Sequence, residues 1–586
     1  MSNFHGGYGA PRLRVSDDDT ESYDSSPTSK TILKSRHVPQ NRVEYHRFGE
    51  HLGLPSYNAS RPNSAKDTIA LYERLRISIA GLGYTGVLED DWENKNFPSG
   101  YVYLLQLAGH DLVQTSMPIP RIAEGGDVVR NLRRSGLELE TIFGGGPANC
   151  PHAYVPEPSD GDSDPQRRYL KLGDMKPKTG FEHKDRDIPR STPGEITIGC
   201  KVYKNKGFRD VLIADPRNDD NSILSQMTAL FHSLHNKILK CLIINKNVDV
   251  EESQVPNLSR AMLSLLYRDI IKNRVLNLIL HPGIYSVYDR ILKEGEIGLF
   301  LDNPVESDSR PIEFAYAASR IGHFLVRPSY FFNSESSFTL SQSFSMSFRR
   351  EYNKVPAFAD WGIDWKLFFT EELCESLPFK DKINWAPRIR AKLNAHLVNI
   401  DDFPVEDDPA ARGLLLHDLI RSADAMLPSS SDFCDYVRDV VGNSAHQDGE
   451  KKFLLSLIPG SDDVKKEVAL WLDELIKKSD AEDGLDPEND VTAIVEQCPL
   501  LIYLIIEAES QDCNGERLGP VASILFAEVF FRALYREGAH AEWDDEVRLY
   551  AEELFAGTSA PQASGTLPVN MRDLIDRVNL LYERLP

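Results

Sequence analysis

Between Ala315 and Pro328 the chain reads AYAASRIGHFLVRP. Phe314, Ala318, Ile321 and Leu325 recur at three- and four-residue spacing, the mark of a helix with one apolar face. Pro328 falls where such a helix stops. The stretch carries one histidine, His323. Gly322 precedes it and brings no side chain, so another group can approach the backbone closely. A single histidine on an apolar helix is most often a core residue with a satisfied ring. It acquires chemistry only if other segments meet it.

Two other segments carry residues suited to that. From Tyr101 to Asp111 the sequence is YVYLLQLAGHD. Gln106 and His110 are four residues apart and share one face of a helix. An imidazole titrates near neutrality and suits proton transfer. From Ala214 to Asn221 the sequence is ADPRNDDN. Its Arg217 is a fixed cation of the kind that stabilises negative charge developing in a reaction. An apolar-periodic helix follows from Ser222 to Cys241, through Ile223, Met227, Leu230, Leu234 and Ile238. His232 and His235 also lie on it.

These stretches carry a resemblance. Pro98 to Asp111, PSGYVYLLQLAGHD, resembles the PAGYTYFGQFLDHD of the animal-type haem peroxidases, the myeloperoxidase–cyclooxygenase superfamily. IADPRNDDNSILSQMTALFHSLHNKIL resembles its bacterial branch, and Arg320 to His323 fits the family pattern R-x-G-H. FGGGPANCPHAY, GIDWKLFF and NGERLGPVASILFAEVF are similar to further family stretches. The likeness runs from about Arg47 to about Val547.

The resemblance implies a mainly α fold, one large helical domain with few short strands, binding haem b. It implies His110 as the distal acid–base, Gln106 orienting water or a halide, and Arg217 as the distal cation. His323 would be the proximal ligand of the haem iron. In LLLHDLIRSADAMLPS, residues 414–429, Arg421 aligns with a propionate-binding arginine. That puts Asp418 where the family has the asparagine bonded to the proximal ring, with His417 the competing choice if the register slips by one. Arg320 matches another propionate contact. Of two ester-forming carboxylates in mammalian members, the first is replaced by Gly109 and the second is shortened to Asp220. Mostly non-covalent haem follows. A calcium site rests on one matching ligand, Asp111; its companion loop is reduced to Thr179, Phe181 and Asp185.

The implied activity is a haem peroxidase. It would use hydrogen peroxide to oxidise small organic donors or halides through a ferryl intermediate. One alternative is a haem-dependent fatty-acid dioxygenase of the same superfamily. Those enzymes carry a radical-forming tyrosine three residues before the proximal histidine, where this chain has Arg320. The other is a non-catalytic haem-binding scaffold, against which Gln106, His110 and Arg217 speak.

Composition bounds the rest. The 586 residues include 66 basic and 89 acidic side chains, a formal charge of −23. That opposes nucleic-acid binding. Seven scattered cysteines show no C-x-x-C spacing, so a zinc site or disulfide framework is not expected, though one bridge is compatible. The N-terminal residues show no apolar signal core, and PLLIYLIIEA is too short to span a bilayer. Cytoplasmic residence is the default expectation, with signal-independent export left open; the oligomeric state and the reducing substrate are not read from the sequence. Residues 1 to about 45 are polar and read as a disordered tail, 443–490 as a charged helix-rich insertion, and 551–586 as a C-terminal tail with a short helix. The run Gly144–Gly146 is no phosphate-binding P-loop, since no Lys-Ser/Thr follows.

Overall fold

The computed structural model describes residues 65–82, 92–114, 130, 131, 133, 136–156, 167–178, 186–191, 210–244, 250–295, 310–345, 358–374, 376–393, 412–443, 448–479, 481–510, 512–536, 538–558 and 566–585, with the backbone of 43–44, 195–198, 201–204 and 395–398. The polar tail, apart from Val43 and Glu44, lies outside the described residues.

The protein is mainly α. Strands among the described residues form only two-stranded antiparallel ribbons. ITIGCKVY yields one of these, Glu195–Ile198 against Lys201–Lys204. The stretch DVLIAD, residues 210–215, gives only an isolated bridge between Val211 and Arg190.

The long periodic segment is a helix from Ser222 to Ile244, buried along most of its length. The helix Val255–Ile270 packs against it and runs on into a π-helical turn, Ile271–Leu276. The apolar stretch Leu500–Glu509 is a core helix, buried at every residue but the last. No described helix is long and apolar enough to cross a membrane.

Packing encloses three further segments. The C-terminal helix Met571–Glu583 lies against Ser222–Ile244, with Met571, Leu574 and Val578 fully enclosed. Lys237 Nζ donates to Asn579 Oδ1 at 2.6 Å across that contact. Its apolar spacing therefore makes it core and not an appendage. The charged helices Asp448–Leu457, Ser461–Lys478 and Asn489–Glu496 are also seated on the body. Val464, Val468, Leu472 and Leu475 face inward, and Arg74 pairs with Asp490 at 2.6 Å. Residues 187–190 are also partly enclosed. Ile188 packs with Ile213 and Ala229, while Arg190 pairs with Asp219 at 2.7 Å. No disulfide joins the described cysteines.

The segment bearing His323 differs from the single helix its spacing suggests. An α-helix covers Ile312–Tyr316, Ala317 leaves helical geometry at φ −129°, and Ala318–Leu325 is a 3-10 helix. Beyond it Arg327 is pinned: Nη1 donates to Glu93 Oε1 and to the Trp385 carbonyl, both at 2.6 Å. Those two acceptors lie on the paired strands Glu93–Pro98 and Trp385–Pro387. The break at one end and the anchor at the other hold the intervening turns in place.

Candidate active site

His110 sits near the end of the helix Ser99–Leu112. Gly100 lets this helix lie close to its neighbour. A Cβ there would stand 2.5 Å from the Phe368 carbonyl oxygen and from a Phe369 ring carbon. That contact fixes the helix and the direction in which His110 points.

The His110 ring is oriented by a residue the sequence reading did not single out. Its Nδ1 lies 2.9 Å from Asn218 Oδ1. Asn218 Nδ2 donates to the carbonyl and hydroxyl oxygens of Thr141, at 3.2 and 3.0 Å. A carbonyl only accepts, so the amide nitrogen faces Thr141 and the amide oxygen faces the ring. His110 thus carries its proton on Nδ1, and Nε2 is the basic nitrogen. Burial and then the nearby Arg217 charge hold its pKa down at about 3, so the ring is neutral at ordinary pH.

Arg217 lies in a short 3-10 turn, Pro216–Asp219, capped by the Asp215 side chain. It forms an ion pair at 2.6 Å with Asp215, which is buried while Arg217 is half-buried. Its Nη1 donates to the Val113 carbonyl at 2.7 Å and its Nη2 to the His110 carbonyl at 2.8 Å. Asp215 also takes Arg133. Burial works to raise the Asp215 pKa, and Arg217 and Arg133 overcome it, holding the carboxyl well below the usual range. The guanidinium is therefore bound to the backbone that carries His110. Asp215, Arg133, Asn218 and Thr141 together fix the turn. Asp-Pro at a turn start was the one sequence signal for this arrangement.

Gln106 is half-buried one helical turn before His110. Asp220 is buried just past the Arg217 turn, its backbone N–H bonded to the Arg217 carbonyl at 3.1 Å.

On the facing segment His323 Nδ1 lies 2.8 Å from Asp418 Oδ2. Arg320 Nε stands 3.9 Å from the other oxygen of the same carboxylate. The 3-10 geometry explains this, because residues three apart eclipse one another. Asp418 is supplied by the helix Leu414–Asp424. Burial would raise its pKa, and the contacts with His323 and Arg320 reverse that, leaving it lowered and the group ionised. His417 is held down at about 3 by burial and then by Arg421. Arg421 sits beside Arg320, and among the described residues it forms no ion pair within 4 Å. Burial and then the Arg320 charge lower its pKa. Two guanidiniums thus gather round one carboxylate.

The His110 helix and the His323 segment pack against each other. A Cβ built at Gly109 or at Gly322 meets nothing within 4 Å. Open space therefore adjoins the backbone next to each histidine. An imidazole backed by a carboxylate, two nearby cations and space at both glycines fit a planar, carboxylate-bearing metal group.

The remaining candidates are bonded mainly to backbone groups. His232 Nδ1 meets the Lys171 carbonyl at 2.8 Å, His235 bonds Ser259 and the Arg168 carbonyl, and Asn236 brackets the Leu170 backbone. Asp111 accepts the backbone N–H groups of Leu139 and Thr141, at 2.9 and 3.0 Å. Thr179, Phe181 and Asp185 lie outside the described residues. Among the described residues no group of three or more His, Cys, Asp or Glu gathers as a metal site would require.

Fold and site define a mainly helical protein with two oriented histidines on packed segments. No family model matches the chain, and no curated protein matches it. Among solved structures it is similar to the fatty acid alpha-dioxygenase of Oryza sativa, with TM-score 0.49 and 12% identity over 89% of this chain and 80% of that one. It is similar also to peroxidase A of Dictyostelium discoideum, with TM-score 0.48 and 13% identity over 92% of each chain. The fatty acid alpha-dioxygenase of Arabidopsis thaliana gives TM-score 0.47 and 12% identity over 90% and 81%. These likenesses are weak, and the functional reading rests on the residues above.

Proposed function

We propose that this chain is a haem peroxidase acting on hydrogen peroxide and a small reducing substrate. The observation that carries the reading is the pair of histidines, each with Nδ1 held by a buried side chain, His110 by Asn218 and His323 by Asp418. Bound haem would supply the redox-active iron. His323 Nε2 would ligate that iron, and Asp418 would draw the ring towards imidazolate character. Arg320 and Arg421 would face the propionates. His110 Nε2 would take the proton from one peroxide oxygen and return it to the departing one. Gln106 would orient water beside it.

The test is an absorption spectrum of the purified, haem-reconstituted protein before and after peroxide. A Soret band that changes on peroxide addition and returns with an electron donor is expected. A protein that takes up no haem sinks the proposal. The dioxygenase alternative requires a tyrosine where Arg320 stands, and oxygenated products from a long-chain fatty acid would favour it. Haem uptake without turnover of either substrate would favour the scaffold.

Orientation by Asn218 gives a pH prediction. The wild-type peroxide step should stay flat as pH falls and decline only towards about 3, where His110 protonates. Asn218→Asp keeps an acceptor at Nδ1 and adds negative charge, which raises the His110 pKa. Its acid decline should therefore appear at higher pH. Coincident profiles would show that His110 is not the base.

Haem attachment is expected to be non-covalent. Gly109 offers no carboxylate, and Asp220 is one methylene shorter than the family's glutamate. Acidic organic solvent should extract most of the haem. A dominant polypeptide-plus-haem mass in denatured protein never exposed to peroxide would show that Asp220 reaches the macrocycle.

A further inference from the structure

We propose that a second site, on the surface beside the turn Phe143–Cys150, binds a phosphorylated small molecule. The pocket there has a volume of about 520 Å3, within the range of small-molecule sites. Three arginines, Arg167, Arg168 and Arg260, line it against one carboxylate, Glu252. In a chain of net charge −23 this is a local reversal of sign, and such a cleft concentrates anions.

The cations are built in. Gly144, Gly145 and Gly146 have φ of +57°, +72° and +91°. A Cβ at Gly146 would lie 2.3 Å from Arg260 Nη1, so only glycine lets that guanidinium rest on the turn. Arg260 is also bonded to Asn257 and lies against Tyr154. Arg167 Nη1 donates to the Pro151 carbonyl at 3.2 Å. Each guanidinium has five donors, and these contacts orient Arg167 and Arg260 without using all of them. Glu252 is exposed and stands 3.7 Å from Arg168. Three planar forks suit the three terminal oxygens of a phosphate ester, whereas a carboxylate presents two. Pro147 and Pro256 give an apolar wall for the organic part. The glycine run thus serves a phosphate by admitting an arginine, not as a P-loop. This site is independent of the haem reading.

Calorimetric titration of the full chain at low salt, with inorganic pyrophosphate, ATP and citrate, tests it. Pyrophosphate and ATP should bind once per chain, more weakly as salt is added, and more tightly than citrate. Arg167→Gln and Arg260→Gln should each weaken binding about tenfold. Glu252→Gln should tighten it. If Arg260→Gln fails to fold, Arg167→Gln and Glu252→Gln still decide, since neither disturbs a buried contact. The haem spectrum should be the same in every folded variant, which separates this result from the fate of the peroxidase reading. No binding of pyrophosphate or ATP, citrate binding as tightly, or affinity unchanged by both Arg167→Gln and Glu252→Gln overturns the proposal.

Discussion

His323→Ala should abolish stable haem binding. The side chain meets Asp418 from the 318–325 segment, and Arg320 stands on the same face. Removing the imidazole leaves a buried, ionised carboxylate short of one hydrogen bond with Arg320 still beside it, at a cost of about 1 to 3 kcal/mol. Two losses therefore coincide, the iron ligand and the hydrogen bond between Nδ1 and Asp418. Haem content by pyridine haemochrome and the Soret band should both collapse. Asp418→Asn keeps a hydrogen-bond acceptor and removes the charge. It should retain haem and make the ferric state easier to reduce, since the ring would lose imidazolate character. A His323→Ala protein with normal stoichiometry and spectrum would mean that the iron ligand lies elsewhere.

His110→Ala and Arg217→Ala should slow the peroxide step strongly while haem stays bound. A positioned acid–base group contributes about a hundred- to ten-thousand-fold, and His110 is the better placed of the two, with its tautomer set by Asn218. Arg217 acts differently from a cation projecting alone into a cavity. Its donors engage Asp215 and the carbonyls of His110 and Val113. Its influence is the charge it places beside the ring and the anchorage of the helix end. Arg217→Lys should restore part of the rate by keeping the charge. Arg217→Ala should also move the acid decline upward in pH, because the guanidinium lowers the His110 pKa. Stopped-flow traces of the Soret change supply both readouts. Wild-type rates in both alanine variants would refute these roles.

Much of the helical framework was legible in the sequence because burial imposes a period. Ile223, Met227, Leu230, Leu234 and Ile238 announce the helix that the structure extends from Ser222 to Ile244. The 318–325 segment was less legible. Apolar spacing of four, three and four fits an α-helix, and neither the break at Ala317 nor the 3-10 turns after it leave a mark in that spacing. Asn218 and Thr141 were invisible for another reason. They are 77 positions apart and sit in single-turn helices, Glu140–Phe143 and Pro216–Asp219, too short for any period to report a contact. Asp418 was reachable because Arg421 fixed a register on a regular helix. The C-terminal segment suggests a short helix, but its sequence does not say which surface will cover it.

The eclipsed turns that align Arg320 and His323 on one carboxylate also constrain how this stretch can change over time. In a 3-10 helix each added residue rotates everything after it by about 120°. One insertion between Ala318 and His323 would swing the imidazole off Asp418, and no neighbouring side chain could follow, since Arg327 is tethered to two strands. Homologous chains should therefore vary here by exchange of residues and keep the same length, while the surface turns tolerate gains and losses. A library of single-codon insertions scored for haem retention would map that boundary residue by residue.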